Sequence, residues 1–185
     1  MSLEQLKRVV VIGTRCSGKT TFACQLARLM QAKHIELDTL IFLPNWKLRP
    51  REDFKRLVSE ALAADQWVLD GNSKETRDIV WSRATTLIWL KFPWHVVLCR
   101  ALRRFKKRVI DKQMFHSGNY GTFCHGVQKF GCTLFWVKTF RLKKRYARLL
   151  KEYQKQQLQT FVFSTPQVAD RFLAQVEHLT ELCHA

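Results

Sequence analysis

Short apolar runs alternate along this chain with longer stretches in which apolar residues recur every three or four positions. Residues 9–12, 67–70, 86–90 and 160–163 are brief runs without strict polar alternation, and 34–36 is a shorter one. Strands covered on both faces read this way, whereas a strand with one wet face alternates. Between them, residues 19–31, 51–63, 94–110, 134–155 and 166–180 read as helices. Phe22, Leu26 and Leu29 fall near helical spacing in the first; the second starts after Pro50 with Glu52 and Asp53 in its first turn. Such alternation predicts right-handed crossovers and a parallel sheet, whose ligands sit at the carboxyl ends of the strands.

The first apolar run leads directly into Gly13-Thr14-Arg15-Cys16-Ser17-Gly18-Lys19-Thr20, a complete G-x-x-x-x-G-K-[ST] phosphate loop. A strand-to-helix turn of this kind aims backbone N–H groups and the positive end of the following helix at phosphate oxygens. Gly13 and Gly18 allow a tight turn and a close approach of the ligand. Lys19 supplies positive charge for the β- and γ-phosphates, and the Thr20 hydroxyl suits a Mg²⁺ ion bridging them. Residues 13–21, that is the loop with Thr14, Arg15, Cys16 and Ser17 and the following Thr21, are therefore the expected ATP-binding set.

Two carboxylates fall at the same predicted sheet edge. In Trp67-Val68-Leu69-Asp70-Gly71-Asn72 an apolar strand ends on Asp70, which beside a phosphate loop can hold a Mg²⁺-bound water or polarise an acceptor hydroxyl. Asp38 follows the short second strand, where it either orients an acceptor or caps a helix.

With 185 residues, 46% of them hydrophobic, the chain suffices for a single domain over 1–185 and not for two comfortable ones. No apolar run approaches the length of a membrane span, and the short charged segment before residue 9 does not read as a signal peptide. The cysteines at 16, 24, 99, 124, 132 and 183 form no C-x-x-C pair, which suits reduced thiols in a cytoplasmic protein. The net charge of +17 is unevenly spread: residues 91–155 hold 17 Lys or Arg against only Asp111 and Glu152, a local +15. Such a field attracts polyphosphate or nucleic acid in a salt-dependent manner, and otherwise marks solvated helix faces. Gly118, Gly121, Gly126 and Gly131 make 111–133 irregular and lid-like.

The phosphate loop is followed by Leu37-Asp38, Pro44-Asn45-Trp46, Pro50-Arg51-Glu52-Asp53-Phe54, Asp70-Gly71-Asn72, Arg77-Asp78-Ile79 and an arginine-rich helix after Pro93. In this succession the chain resembles the adenylate-kinase-related P-loop proteins of the DNA topology modulation type. The resemblance implies a three-layer α/β P-loop NTPase, nucleoside-monophosphate-kinase-like, with a five-stranded parallel sheet and a basic helical lid. It implies an acceptor region at about 34–80, a lid-like insertion at about 100–135, and Arg100, Arg104 and Arg108 as lid-side charges; their spacing of four shares one helix face. The chain departs from adenylate kinases in reading Asp70-Gly71-Asn72-Ser73-Lys74 where those carry Asp-Gly-Phe-Pro-Arg, so Lys74 would replace an arginine clamp without its bidentate fork. Gly118-Asn119-Tyr120-Gly121 likewise departs from Gly-Asn-Arg-Glu in the related lids.

His116, Cys124, His125 and Cys132 crowd the same stretch, but without a C-x-x-C knuckle they do not read as a zinc site. Phe115, Tyr120, Phe123, Phe130, Phe135 and Trp136 interleave with the basic residues, a pattern that suits base stacking as well as core packing. The expected function is an ATP-dependent phosphotransferase using Mg²⁺, with Lys19, Asp70, Asp38 and the three arginines as catalytic residues and Thr20 and Asp70 on the metal. Its partners are then ATP and a phosphate acceptor. The alternative is a nucleotide-gated protein that binds nucleic acid through 100–155.

Overall fold

Each strand of the sheet divides its side chains between two cores, because helices cover both of its faces. The computed structural model describes residues 3–111, 133–153 and 158–184. In chain order the strands are β1 (Arg8–Gly13), β2 (Lys33–Glu36), β3 (Trp67–Asp70), β4 (Thr86–Leu90) and β5 (Gln159–Phe163). All pairings are parallel, in the order β2-β3-β1-β4-β5. The helices are α1 (Lys19–Leu29), α2 (Leu37–Ile41), α3 (Arg51–Ala61), α4 (Arg77–Arg83), α5 (Trp94–Asp111), α6 (Thr133–Tyr153) and α7 (Pro166–His184), with 3-10 turns at Leu3–Leu6 and Pro44–Trp46.

One core joins Val9 and Val11 of β1, Val68 of β3, Ile88 and Leu90 of β4 and Phe163 of β5 to Phe22 and Leu26 of α1 and Phe172 and Val176 of α7. The other joins the intervening residues, Val10, Ile12, Ile35, Trp67, Leu69, Leu87 and Trp89, to Phe54 and Val58 of α3, Val80 and Trp81 of α4 and Tyr146 and Leu150 of α6. Burying one such side chain contributes about 1.5–3 kcal/mol, so the alternation fixes which way every strand residue points. Val68 and Asp70 therefore face α1, while Trp67 and Leu69 face α3 and α4. A one-residue slip of β3 would drive the Asp70 carboxylate into the second core.

The five expected strands appear within a residue or two of their anticipated limits. The short helices α2 and α4 were not anticipated: five and seven residues carry barely one or two turns, too few for a helical period to show. Residues 112–132, with the glycines of the anticipated lid, the His116/Cys124/His125/Cys132 group and most of the interleaved aromatics, lie outside the described residues.

Candidate functional site

The phosphate loop closes β1 onto α1 through two left-handed residues. Cys16 has φ 61° and Gly18 has φ 90°, and Ser17 N–H donates to the Thr14 carbonyl at 3.2 Å to tighten the turn. A Cβ on Gly18 would come within 2.7 Å of the Arg100 guanidinium, and one on Gly13 within 2.6 Å of the Ser17 hydroxyl. Lys19 folds back over the turn and donates to the Thr14 carbonyl at 3.3 Å. Thr14 and Ser17 are fully buried, yet their hydroxyl oxygens find no hydrogen-bond partner among the described residues.

The pleat of β3 sets Asp70 under the first turn of α1. Thr20 Oγ1 donates to Asp70 Oδ2 at 2.5 Å, while the buried Oδ1 accepts no hydrogen bond from a described residue. His34 and Glu36 share that face of the sheet, since β2 pairs with β3 at His34↔Val68 and Glu36↔Asp70. His34 Nε2 lies 3.6 Å from Asp70 Oδ1, beyond hydrogen-bond range. Burial pushes the Asp70 pKa above the usual carboxylate value, against the opposing pull of the Thr20 hydrogen bond and the Lys19 charge. Burial likewise lowers the Lys19 pKa, and the charges of Asp70 and Asp38 hold it up. Asp70 is thus the main local compensation for Lys19, whereas the Thr20 hydrogen bond comes before Lys19 in compensating Asp70.

A cleft of about 500 Å³ opens at this edge. Cys16 to Phe22 form its floor, Glu36 stands on one side, Arg100 and Arg104 of α5 on another, and Pro166, Ala169 and Asp170 of α7 close it. Arg100 donates to the Ser17 carbonyl and stacks over the Phe92 ring at 5.1 Å, which anchors α5 to the loop. Arg104 is exposed at the rim, and the Arg108 side chain lies outside the described residues. Arg15 is exposed and does not line the cleft. Asp38 sits exposed in the first turn of α2, and its charge bears on Lys19 and Asp70. Glu36, two residues earlier, is the carboxylate that lines the cleft.

Sequence reasoning missed His34, Glu36 and Arg77. The strand period, applied to 34–36, would have placed His34 and Glu36 on the face of Asp70. Arg77 Nε donates to Asn72 Oδ1 at 3.1 Å, whereas Lys74, where an arginine clamp was sought, is exposed.

The donor set suits a Mg²⁺-nucleotide. The loop offers buried hydroxyls in need of partners beside glycines that leave room for phosphate, and Thr20 with Asp70 supplies the hard oxygen ligands that Mg²⁺ takes. Among the described residues no group of three or more metal-ligating side chains occurs, and no helix is long and apolar enough to cross a membrane.

No family profile and no curated protein matches this chain. Its fold does match solved structures. A shikimate kinase from Acinetobacter baumannii in complex with shikimate is 17% identical over 96% of this chain and 94% of that one, with a TM-score of 0.52. A shikimate kinase from Bacteroides thetaiotaomicron is 16% identical over 96% and 98%, with a TM-score of 0.46. A sugar kinase from Janibacter sp. is 17% identical over 92% and 89%, with a TM-score of 0.45. The first of these, with the parallel five-stranded sheet, makes the fold a three-layer α/β P-loop NTPase. None of the three is a topology modulation protein.

Proposed function

We propose that this protein transfers a phosphoryl group from a nucleoside triphosphate to a small acceptor bound beside Asp70. The observation that carries the reading is the Asp70 carboxylate under the first turn of α1: one oxygen is held by Thr20, and the other is buried, 3.6 Å from His34 Nε2, and accepts no hydrogen bond from a described residue. Bound Mg-ATP would supply the transferable phosphoryl group and a cation to neutralise the charge that develops on it. The loop amides, the Thr14 and Ser17 hydroxyls and Lys19 bind the phosphates, and Thr20 and Asp70 hold the Mg²⁺. Arg100 and Arg104, across the cleft, stabilise charge on the phosphate oxygens, and Arg108 is placed with them by helical spacing. Asp70 Oδ1 or Asp38 accepts a hydrogen bond from the acceptor hydroxyl and orients it for attack.

The test is ADP formation from Mg-ATP with a panel of nucleoside monophosphates, sugars and other small alcohols, with Lys19→Ala as the control. Stimulation by one acceptor, with a phosphorylated product, establishes the activity; turnover at the wild-type rate by Lys19→Ala removes it.

A second reading rests on the helix surfaces. Arg103, Arg104 and Lys106 of α5 and Arg141, Lys144, Arg145, Arg148 and Lys151 of α6 are all exposed. Nucleotide-gated binding of nucleic acid, the topology-modulation activity that the sequence resemblance implies, requires steeply salt-dependent affinity that weakens on neutralising Lys144, Arg148 and Lys151. Cys16, Cys24, Cys99 and Cys183 are free thiols, which fits a cytoplasmic setting for either reading.

A further inference from the structure

Asp70 is fixed to the sheet by its backbone and only half held by its side chain. Val11 of β1 pairs with it, and the next amide, Gly71 N–H, donates to the Val11 carbonyl at 3.1 Å. At the carboxylate, Thr20 donates to Oδ2 at 2.5 Å, while Oδ1 accepts no hydrogen bond from a described residue. A carboxylate gripped at one oxygen can still swing about its Cβ–Cγ bond, a torsion with broad minima, whereas a contact at each oxygen fixes its plane. The second contact has to come from a donor already buried beside Oδ1, because that oxygen is closed to solvent.

The pairing of β2 with β3 supplies one. Directly opposite Asp70 stands Glu36, an acceptor like Asp70 itself. His34, two residues back on the same face, is the diagonal neighbour, a spacing that a ring can bridge. Its Nε2 lies 3.6 Å from Asp70 Oδ1, and both atoms are buried and unbonded among the described residues. Two desolvated polar atoms thus stand next to each other, a few tenths of an ångström beyond hydrogen-bond range, and each bears the cost of its missing partner. His34 is free to close that gap: β2 is a four-residue strand at the edge of the sheet, and the His34 side chain is 25% exposed.

Given the phosphotransferase reading, on which this rests, we infer that His34 is a positioning residue whose Nε2–H donates to Asp70 Oδ1 and holds the carboxylate plane in the orientation that a Mg²⁺-nucleotide needs. The neutral Nε2–H tautomer and the protonated ring both carry that proton, so the contact does not depend on the charge of the ring. Thr20 does not suffice alone, since on the same reading its oxygen is shared with the ion. Oδ1 has two lone pairs, so a bond from His34 leaves one for a further donor. Groups that orient a metal's ligands from behind change metal affinity about ten- to hundredfold when they are removed, and His34 stands in that position.

The experiment measures ADP binding by isothermal titration calorimetry at a series of Mg²⁺ concentrations. It compares wild type with His34→Leu, which removes the donor, and with His34→Gln, whose side-chain amide restores one. The half-saturating Mg²⁺ concentration is expected to rise about tenfold or more in His34→Leu and by clearly less in His34→Gln. ADP affinity without Mg²⁺ stays at the wild-type value in both. A merely structural role behaves otherwise: His34→Leu then shifts the melting temperature and leaves the Mg²⁺ requirement unmoved, or weakens ADP equally with and without the ion. Either result overturns the inference, as does a His34→Gln variant that recovers none of the loss.

Should His34→Leu fail to fold by circular dichroism, nitrogen-15 NMR of the wild-type imidazoles decides the matter. With Mg-ADP bound, His34 Nε2 is expected to carry a proton, its resonance being assigned by its absence from His34→Gln. An Nε2 without a proton overturns the inference. If Mg-ADP binds to wild type and His34→Leu has the same Mg²⁺ requirement, the inference falls and the phosphotransferase reading stands. If ADP does not bind to wild type, or binds with no regard to Mg²⁺, the phosphotransferase reading falls and takes the role of His34 with it.

Discussion

The phosphate loop and the proposed acceptor edge adjoin each other, and the chain builds them in opposite ways. Eight consecutive residues make the loop, and its shape comes from backbone dihedrals and N–H groups. The proposed acceptor edge draws on His34, Glu36, Asp70, Asn72 and Arg77, which span 44 positions and meet through strand register and the turn after β3. A site made of backbone tolerates changes at most of its side chains and fails at a few. A site made of side chains from many elements loses function gradually.

The largest effect belongs to the loop's one essential side chain. Lys19→Ala should lower kcat/KM for ATP-dependent turnover by about 10²–10³-fold, because it removes a preorganised charge from the proposed site of phosphoryl transfer. Its burial works against its charge, so the variant should melt no lower than wild type. Steady-state kinetics and a thermal scan together check this, and a variant that loses both activity and stability would make Lys19 a structural residue.

Two glycines sharpen the contrast further. Gly71 has φ 123°, and a Cβ there would sit 2.8 Å from Leu37 Cβ, a rigid neighbour at the base of α2. Gly71→Ala should cost about 2–3 kcal/mol of stability by urea unfolding. Gly18→Ala meets only the far end of Arg100 at 2.7 Å, which can swing aside, so the cost falls to the left-handed backbone at about 1–2 kcal/mol. Its penalty should appear mainly in nucleotide affinity. Equal stability losses would show that the loop is held as rigidly as the acceptor edge.

Asp70 joins the two regions, and pH separates its roles. Burial raises its pKa in the folded protein above the unfolded value, so the folded state takes up a proton first as pH falls. Stability contributed at this site therefore rises as pH drops through the raised pKa toward the ordinary carboxylate value, and levels off below it. Activity, which on the proposed mechanism needs the ionised carboxylate, falls over the same window. Urea midpoints of wild type should approach those of Asp70→Asn as the medium is acidified from neutrality. A gap between the two that widens in acid would mean the Thr20 and Lys19 partners outweigh desolvation.

The same contrast explains what could be read from the sequence. The loop, the five strands and Asp70 are local patterns: an apolar run, a motif, a carboxylate at a strand end. The strand alternation that buries Val68 also aims Asp70 at α1, so a one-dimensional pattern carries a three-dimensional consequence. Arg77 carried no such signal. Its meaning depends on the hydrogen bond to Asn72 in the turn after β3, and no periodicity shows that. Helices α2 and α4 were illegible for a different reason: each is held by packing of Leu37 or of Val80 and Trp81 rather than by its own propensity. Asp38 was chosen because it follows the short second strand, and Glu36 was not considered; pairing opposite Asp70 puts Glu36 in the cleft.

The smallest predicted effect turns on two buried hydroxyls without partners. Thr76 Oγ1, at the start of α4, and Ser17 Oγ, in the loop, are both fully buried and unbonded among the described residues. A buried hydroxyl with no partner costs free energy, so Thr76→Val and Ser17→Ala should each leave the free protein as stable or more stable, by up to about 1 kcal/mol. They part when nucleotide is added. Ser17 lies where phosphate oxygens would satisfy its hydroxyl, so Ser17→Ala should lose several-fold in Mg-ADP affinity, whereas Thr76→Val should bind like wild type. If Thr76→Val weakens nucleotide binding as much as Ser17→Ala does, the two regions are one coupled site and the division between a backbone-built loop and a side-chain-built edge fails.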